Sequence, residues 1–207
     1  MKRLSYLMIK RLLDVILSSI LFSLFIPIML LSMVLIKIES KGPALFLDRR
    51  IGLRGNAFNL YKLRTMYQNS PRGFVLDNDP RVTKIGSVLR KASLDEIPQF
   101  INVLKGEMSL VGPRPDIVKN YQKYDEKTKK RLTLRPGITG WAQVNGRNAI
   151  SWEEKFKLDV WYVDNQSFLL DIKIIFLTVW QVIRRENTSA EGHATMPEFF
   201  GTKGETV

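Results

Sequence analysis

Cysteine is absent from this 207-residue chain, and histidine occurs once, at His193. Those two gaps exclude disulfide staples and thiolate-bound metal, and they argue against a His-rich zinc site or a Ser-His-Asp triad. Acid-base chemistry must fall to carboxylates. No Walker-type phosphate loop and no GxGxxG pattern occurs, so neither a P-loop nucleotidase nor a dinucleotide enzyme is supported. Internal repeats and low-complexity tracts are missing as well. Acidic side chains are scarce in one half: residues 1–91 hold 16 Lys and Arg against 5 Asp and Glu, whereas residues 92–207 hold 16 against 15. The net charge of +12 therefore belongs to the N-terminal part. Its partner surface is expected to be anionic, either nucleic acid, a phosphorylated substrate or a membrane leaflet.

Charge is also absent from Val15 to Ile36, 22 residues that are mostly apolar. That length suits a helix in the roughly 30 Å hydrocarbon core of a bilayer. It exceeds the apolar core of a signal peptide, and no small-residue cleavage site follows. Two features count against a plain spanning helix. Pro27 sits mid-segment, where it removes a backbone donor and leaves the carbonyl of Ser23 without its helical partner. Basic residues flank both ends, Lys2, Arg3, Lys10 and Arg11 before and Lys37, Lys41, Arg49, Arg50 and Arg54 after, so they choose no orientation for a span. They suit a helix that enters, bends at Pro27 and returns to the same side. Ser18, Ser19 and Ser23 could ease such a break or serve ordinary helix packing.

Beyond Gly42-Pro43, the runs Ala44 to Asp48 and Ala57 to Leu63 read as a hairpin around Gly52 and Gly55. Met66 to Pro80 reads as a surface loop, followed by a short helix over Val82 to Lys91. Ser93 to Glu96 has the Ser-x-x-Glu spacing of a capping box and predicts a helix ending near Lys105-Gly106; Ser151 to Glu154 repeats the pattern. Ser109 to Val111 leads into the turn Gly112-Pro113-Arg114-Pro115. Pro115 to Thr133 alternates in helical fashion, and the last helix, about Phe168 to Arg185, is apolar enough for core packing, a membrane surface or a dimer contact.

The adjacent carboxylates Asp95 and Glu96 carry two readings. Acids in a first helical turn complement the helix dipole. They can also hold Mg²⁺, which binds one or two carboxylates together with substrate phosphates. Arg90, Lys91, Arg114, Arg135 and Arg147 lie near the pair or near Gly and Pro turns, and arginine forks match phosphate oxygens. Nucleic-acid binding by Tyr61-Lys62, Trp141 and the basic run Lys127 to Arg135 is the rival, which the membrane segment disfavours.

Six ordered motifs then carry a resemblance: Lys62 to Met66 (KLRTM), Ser93 to Gln99 (SLDEIPQ), Asn102 to Ser109 (NVLKGEMS), Gly112 to Pro115 (GPRP), Arg135 to Gly140 (RPGITG) and Gln143 to Asn148 (QVNGRN). Together they resemble the bacterial sugar transferases, the monotopic phosphoglycosyltransferases, and most of all their short PglC-like type. The resemblance implies transfer of a sugar 1-phosphate from a UDP-sugar to undecaprenyl phosphate, with release of UMP, at the cytoplasmic face of a bacterial inner membrane. It implies Asp95 as nucleophile of a covalent phosphosugar intermediate, Glu96 as a Mg²⁺ ligand, and Arg114 as a phosphate clamp. Lys62, Arg90 and Arg147 match further basic positions of the site. One departure is Ile26 in the place before Pro27 where the family often has Ser, with Ser23 the nearest hydroxyl. The expected fold is α+β, mostly α: a re-entrant membrane helix over 1–37 broken at Pro27, a compact cytosolic catalytic domain with a small β-hairpin over 38–186, and a tail over 187–207. The expected partners are UDP-sugar, undecaprenyl phosphate and membrane lipid, without nucleic acid, and a homodimer is one use for the last helix. A helix start at Asp95 would lower its pKa and keep it ionised.

Overall fold

The computed structural model describes residues 2–71, 79–146, 149–184 and 199–202, with side chains from Ser5 onward. The first element, α1 (Lys2–Glu39), is helical on both sides of Pro27 and at Pro27 itself. A bend at Pro27 therefore takes no coil residues: the one lost hydrogen bond leaves the turns on either side paired. A hydroxyl does bond back along the helix nearby, but it is Ser32, to the carbonyl of Ile28 at 2.8 Å, rather than Ser23. The helix is long and apolar enough to cross a membrane by length and composition. One face is covered, with Asp14, Ser18, Ser32 and Ile36 buried at helical spacing. The opposite face exposes Met8, Leu12, Ile16, Ile20, Leu24 and Leu31.

Both ends of α1 are tied to the rest of the protein. Near the start, Tyr6 and Lys10 donate to Asp171 Oδ2 at 2.9 and 2.6 Å. Arg11 caps carbonyls of Val103 and Leu104, a cation at a helix C-terminus that contributes about 0.3–1 kcal/mol. Asp14 accepts from the Ser109 hydroxyl and the Leu110 amide at 2.7 and 3.1 Å. At the far end, Ile36 packs with Ala44, Leu63 and Leu89. Arg64 binds the carbonyls of Ser40 and Lys41, closing the helix terminus.

The hairpin forms as expected from its alternating runs, β1 (Leu45–Ile51) pairing antiparallel with β2 (Ala57–Leu63) from Leu45 opposite Leu63 to Ile51 opposite Ala57. Next comes α2 (Lys84–Lys91), capped by the Thr83 hydroxyl. Glu39 of α1 also accepts from the amides of Lys84 and Ile85 at 2.7 and 2.9 Å. A Cβ at Gly86 would lie 2.1 Å from the Thr65 carbonyl oxygen, so glycine lets α2 cross the end of β2 in contact.

The capping box expected at Ser93 does not form. Ser93 takes φ 55°, its side chain caps nothing, and Leu94–Glu96 make a single 3₁₀ turn. Pro98 has no N–H to return to Leu94, so the α-helix α3 (Gln99–Leu104) begins only after it. Ser109–Val111 is a short strand, β3, paired in parallel with β4 (Gly137–Thr139). Neither strand is marked in the sequence, since three residues carry no periodicity. Between them lie a 3₁₀ segment (Val118–Lys123), α4 (Glu126–Lys129) and a second 3₁₀ segment (Lys130–Thr133), where a longer helix was expected.

After α5 (Trp141–Val144), α6 (Trp152–Asn165) opens on a complete capping box between Ser151 and Glu154. The last helix, α7 (Phe168–Arg184), buries Ile174 against Leu110, Val111, Tyr162 and Val163. Its other side exposes Leu169, Ile172, Phe176, Val179 and Ile183. Tyr162 donates to Asp171 Oδ1 at 2.6 Å, joining α6, α7 and the start of α1. Of the tail, Phe199 packs in the core with Tyr124 and Phe156.

Candidate active site

The KLRTM motif runs off the end of β2 at Leu63, and its polar side chains reach separate partners. Lys62 reaches the 3₁₀ turn, its Nζ 3.0 Å from Glu96 Oε1. Arg64 turns to the end of α1. Thr65 accepts from Arg90 Nε at 2.8 Å, which fixes the basic end of α2 beside the acidic turn. Sequence reasoning missed Thr65, because nothing in spacing links it to a residue 25 positions later.

Arg114 comes from the Gly-Pro-Arg-Pro turn, which β3 delivers against β4. The two loops touch backbone to backbone: a Cβ at Gly140 would stand 2.1 Å from the Gly112 carbonyl oxygen, and one at Gly137 would stand 2.1 Å from the Gly112 nitrogen. That contact sets Arg114 over the acidic pair. Its Nη2 donates to Glu96 Oε1 at 2.5 Å, and Nη1 lies 3.5 Å from Oε2.

Asp95 is buried, at 9% exposure. Burial pushes its carboxyl up from the ordinary value, as does Glu96, while Lys62, Arg90 and Arg114 pull the other way and do not prevail. The lowered pKa expected from a helix start is thus corrected: a single 3₁₀ turn supplies no long dipole, and loss of water dominates. Glu96 behaves oppositely. Burial opposes its ionisation, yet Arg114 and Lys62 outweigh burial and hold it far below the usual carboxylate range. One adjacent acid is held charged by its cations, and the other has its carboxyl pushed up by burial.

Lys62, Arg90, Arg114, Asp95 and Glu96 are brought together; Arg147 lies outside the described residues. Arg135, grouped with them by sequence, instead donates to the Gly106 carbonyl at 2.8 Å. The basic run of Lys127 to Arg135 is not one face either. Arg131 points inward at 2% side-chain exposure and pairs with Asp159 at 2.6 Å.

The donor set fits Mg²⁺ in its substrate-borne form. Among the described residues no group of three acids or histidines forms a cage. Glu96 nevertheless presents hard oxygens, and Oε2 carries just the long contact to Arg114. One carboxylate plus phosphate oxygens is a usual Mg²⁺ environment.

A sequence model described as bacterial sugar transferase matches residues 5–185. The chain is 46% identical over 197 residues to a Bacillus subtilis protein named uncharacterized sugar transferase EpsL, covering 95% of this chain and 98% of that one. It is 43% identical to the UDP-N-acetylgalactosamine-undecaprenyl-phosphate N-acetylgalactosaminephosphotransferase of Aeromonas hydrophila, over 86% of this chain and 44% of the relative. Identity is 39% to the UDP-glucose:undecaprenyl-phosphate glucose-1-phosphate transferase of Escherichia coli K12, over 84% and 40%. The chain thus spans nearly all of the first relative and less than half of the two longer ones.

Proposed function

The chain belongs to the bacterial sugar transferase family, and from that premise we propose that it moves a sugar 1-phosphate from a UDP-sugar to undecaprenyl phosphate through a covalent Asp95 intermediate. The observation that carries this reading is the placement of two neighbouring carboxylates. Asp95 is buried, and the adjacent Glu96 is contacted by Lys62 and Arg114 at 3.0 and 2.5 Å, so one acid is left for the reaction while the other is held anionic by two cations.

A carboxylate oxygen of Asp95 attacks the β-phosphorus of the UDP-sugar. The bond from that phosphorus to the bridging oxygen breaks, and the electron pair leaves with UMP. In the second half, an oxygen of undecaprenyl phosphate attacks the same phosphorus and the Asp95 carboxylate departs. Splitting the displacement in two is what a covalent nucleophile contributes. Arg114, Lys62 and Arg90 bind and orient the diphosphate, with Arg114 exchanging part of its grip on Glu96 for phosphate oxygens. Glu96 would hold Mg²⁺, which when bound would neutralise diphosphate charge so that an anion can approach.

Membrane attachment follows from α1. Tyr6, Lys10, Arg11 and Asp14 dock one end on the domain, and Ile36, Glu39 and Ser40 dock the other. A straight span would carry one end away to the opposite side, so this double attachment supports a helix that leaves and re-enters by the same leaflet. The basic flanks favour the cytoplasmic face of the inner membrane. The exposed apolar side of α7, tied to α1 through Asp171, suits the same surface.

A screen for UMP release over a panel of UDP-sugars, with undecaprenyl phosphate and Mg²⁺, tests the reading and identifies the sugar. The result expected is UMP that requires Mg²⁺. Release of free sugar phosphate without a lipid acceptor would instead mark a hydrolase, and salt-sensitive anion binding without UMP would mark a binding module.

A further inference from the structure

We propose that Arg131 is a positioning residue for Arg114, holding the phosphate-clamping turn from inside the protein; this rests on the phosphate-clamp role of Arg114 proposed above. Backbone groups along the turn Gly112 to Asp116 are each held. The Gly112 amide donates to Thr139 at 2.9 Å, and the Pro113 carbonyl accepts from Gly137 at 3.0 Å. The Pro115 carbonyl accepts from Arg50 at 3.3 Å, and the Asp116 carbonyl from the Ile51 amide at 2.9 Å. Arg131 supplies the remaining restraint, its Nη2 donating to the carbonyl of Arg114 itself at 2.6 Å. These partners come from three separate places in the chain, Arg50 and Ile51, Arg131, and Gly137 and Thr139. Arg131's contact is the one made by a fully buried side chain.

Arg131 is itself fixed. Its Nε and Nη2 fork onto Asp159 Oδ2 at 2.9 and 2.6 Å, and Nη1 donates to the Tyr124 hydroxyl at 3.1 Å. Tyr124 donates onward to Asp116 Oδ2 at 2.6 Å, and Asp116 accepts from the Ile117 amide and from Asn120. The network thus begins at Arg114 and returns to the turn two residues later. A closed ring of this kind resists sliding of the turn, because Arg131 and Tyr124 each tie two members of it together. Both members of the ion pair are buried, where a planar guanidinium fork is more selective than an ammonium. A buried pair is weak support for stability, since apolar isosteres often replace it without loss. Its use here is placement: displacement of a reacting contact by about 1 Å can cost about 100-fold in rate.

The test uses the full chain in lipid nanodiscs, first showing that the wild type releases UMP. An inactive wild type would refute the proposed function and, with it, the clamp role of Arg114 on which this proposal rests; a loss confined to the variants is read against an active wild type. Replacing the pair by Arg131→Met with Asp159→Leu keeps a filled interior. The expected outcome is a melting temperature near wild type, kcat lower by about 100-fold, and a smaller change in KM for the UDP-sugar. Should that variant not fold, Arg131→Lys retains the charge opposite Asp159 but lacks the fork, and the same fall in kcat is expected. Wild-type kcat in whichever of the two is folded overturns the proposal. In an Arg114→Ala background, adding Arg131→Lys should lower kcat no further, because the residue acts through Arg114. An additional, multiplicative loss in that background would mean a general structural role and also overturns it.

Discussion

Lys155 offers a quantitative test of the electrostatics behind the site. It lies on α6 at 7% exposure, with Nζ 5.0 Å from the centre of the Trp152 ring. Burial draws its pKa down from 10.5 to about 8, with Arg114 and Arg131 pushing the same way and Asp159 opposing. Below pH 8 both folded and unfolded chains carry the charge, so the folded state bears the full penalty. Between about 8 and 10.5 the folded chain sheds the proton while the unfolded chain keeps it, and stability rises with pH. Above 10.5 the penalty is gone. The gap corresponds to about 3 kcal/mol, of which the cation-π contact with Trp152 returns about 0.5–2 kcal/mol. Lys155→Met should therefore stabilise the protein at pH 7 by about 1–3 kcal/mol, or about 2–10 °C in Tm at this size. Thermal unfolding in nanodiscs, followed by tryptophan fluorescence at pH 7 and at pH 10, measures it. The variant's advantage should shrink at pH 10. A variant less stable than wild type at pH 7, or an advantage that grows with pH, would refute the reasoning.

Three further outcomes are expected. Glu39→Gln weakens the second cap on α2, so the domain should lose about 1 kcal/mol in a denaturation experiment, with little change in α1 helicity by circular dichroism. Gly140→Ala would push a methyl group to 2.1 Å from the Gly112 carbonyl oxygen; since the neighbour is backbone, the Arg114 turn must shift, and UMP release should fall more than Tm does. Single cysteines at Ser5 and Lys41, in a chain that has none of its own, should both react with an impermeant maleimide added from the cytoplasmic side. Labelling from opposite sides would show a spanning helix.

Local chemistry made some elements readable in advance. The hairpin followed from alternation between turn residues, α6 from its Ser151-Glu154 box, and α7 from its long apolar run. The Ser93 box misled because the same spacing precedes Ile97-Pro98, and a proline two residues past Glu96 denies the helix a donor. Strands β3 and β4 escaped notice because three residues establish no period; their pairing is made by glycines that let two backbones touch. Within the candidate site, Asp95, Glu96, Lys62 and Arg114 were legible as motif residues, and Arg90 by its nearness to the acidic pair. Their division into a buried acid and a cation-paired one was not, because it depends on burial and on which cations touch Glu96. Arg131 looked like one of several surface cations, and only the tertiary fold turns it inward to Asp159.

The central claim is that Asp95 carries the phosphosugar. Intact-protein mass spectrometry, after rapid mixing with the accepted UDP-sugar and Mg²⁺ and an acid quench without lipid acceptor, tests it directly. The wild type should gain the mass of one sugar phosphate, localised to Asp95, and lose it when undecaprenyl phosphate is added; Asp95→Asn should gain nothing. An adduct that forms equally in Asp95→Asn would contradict the account.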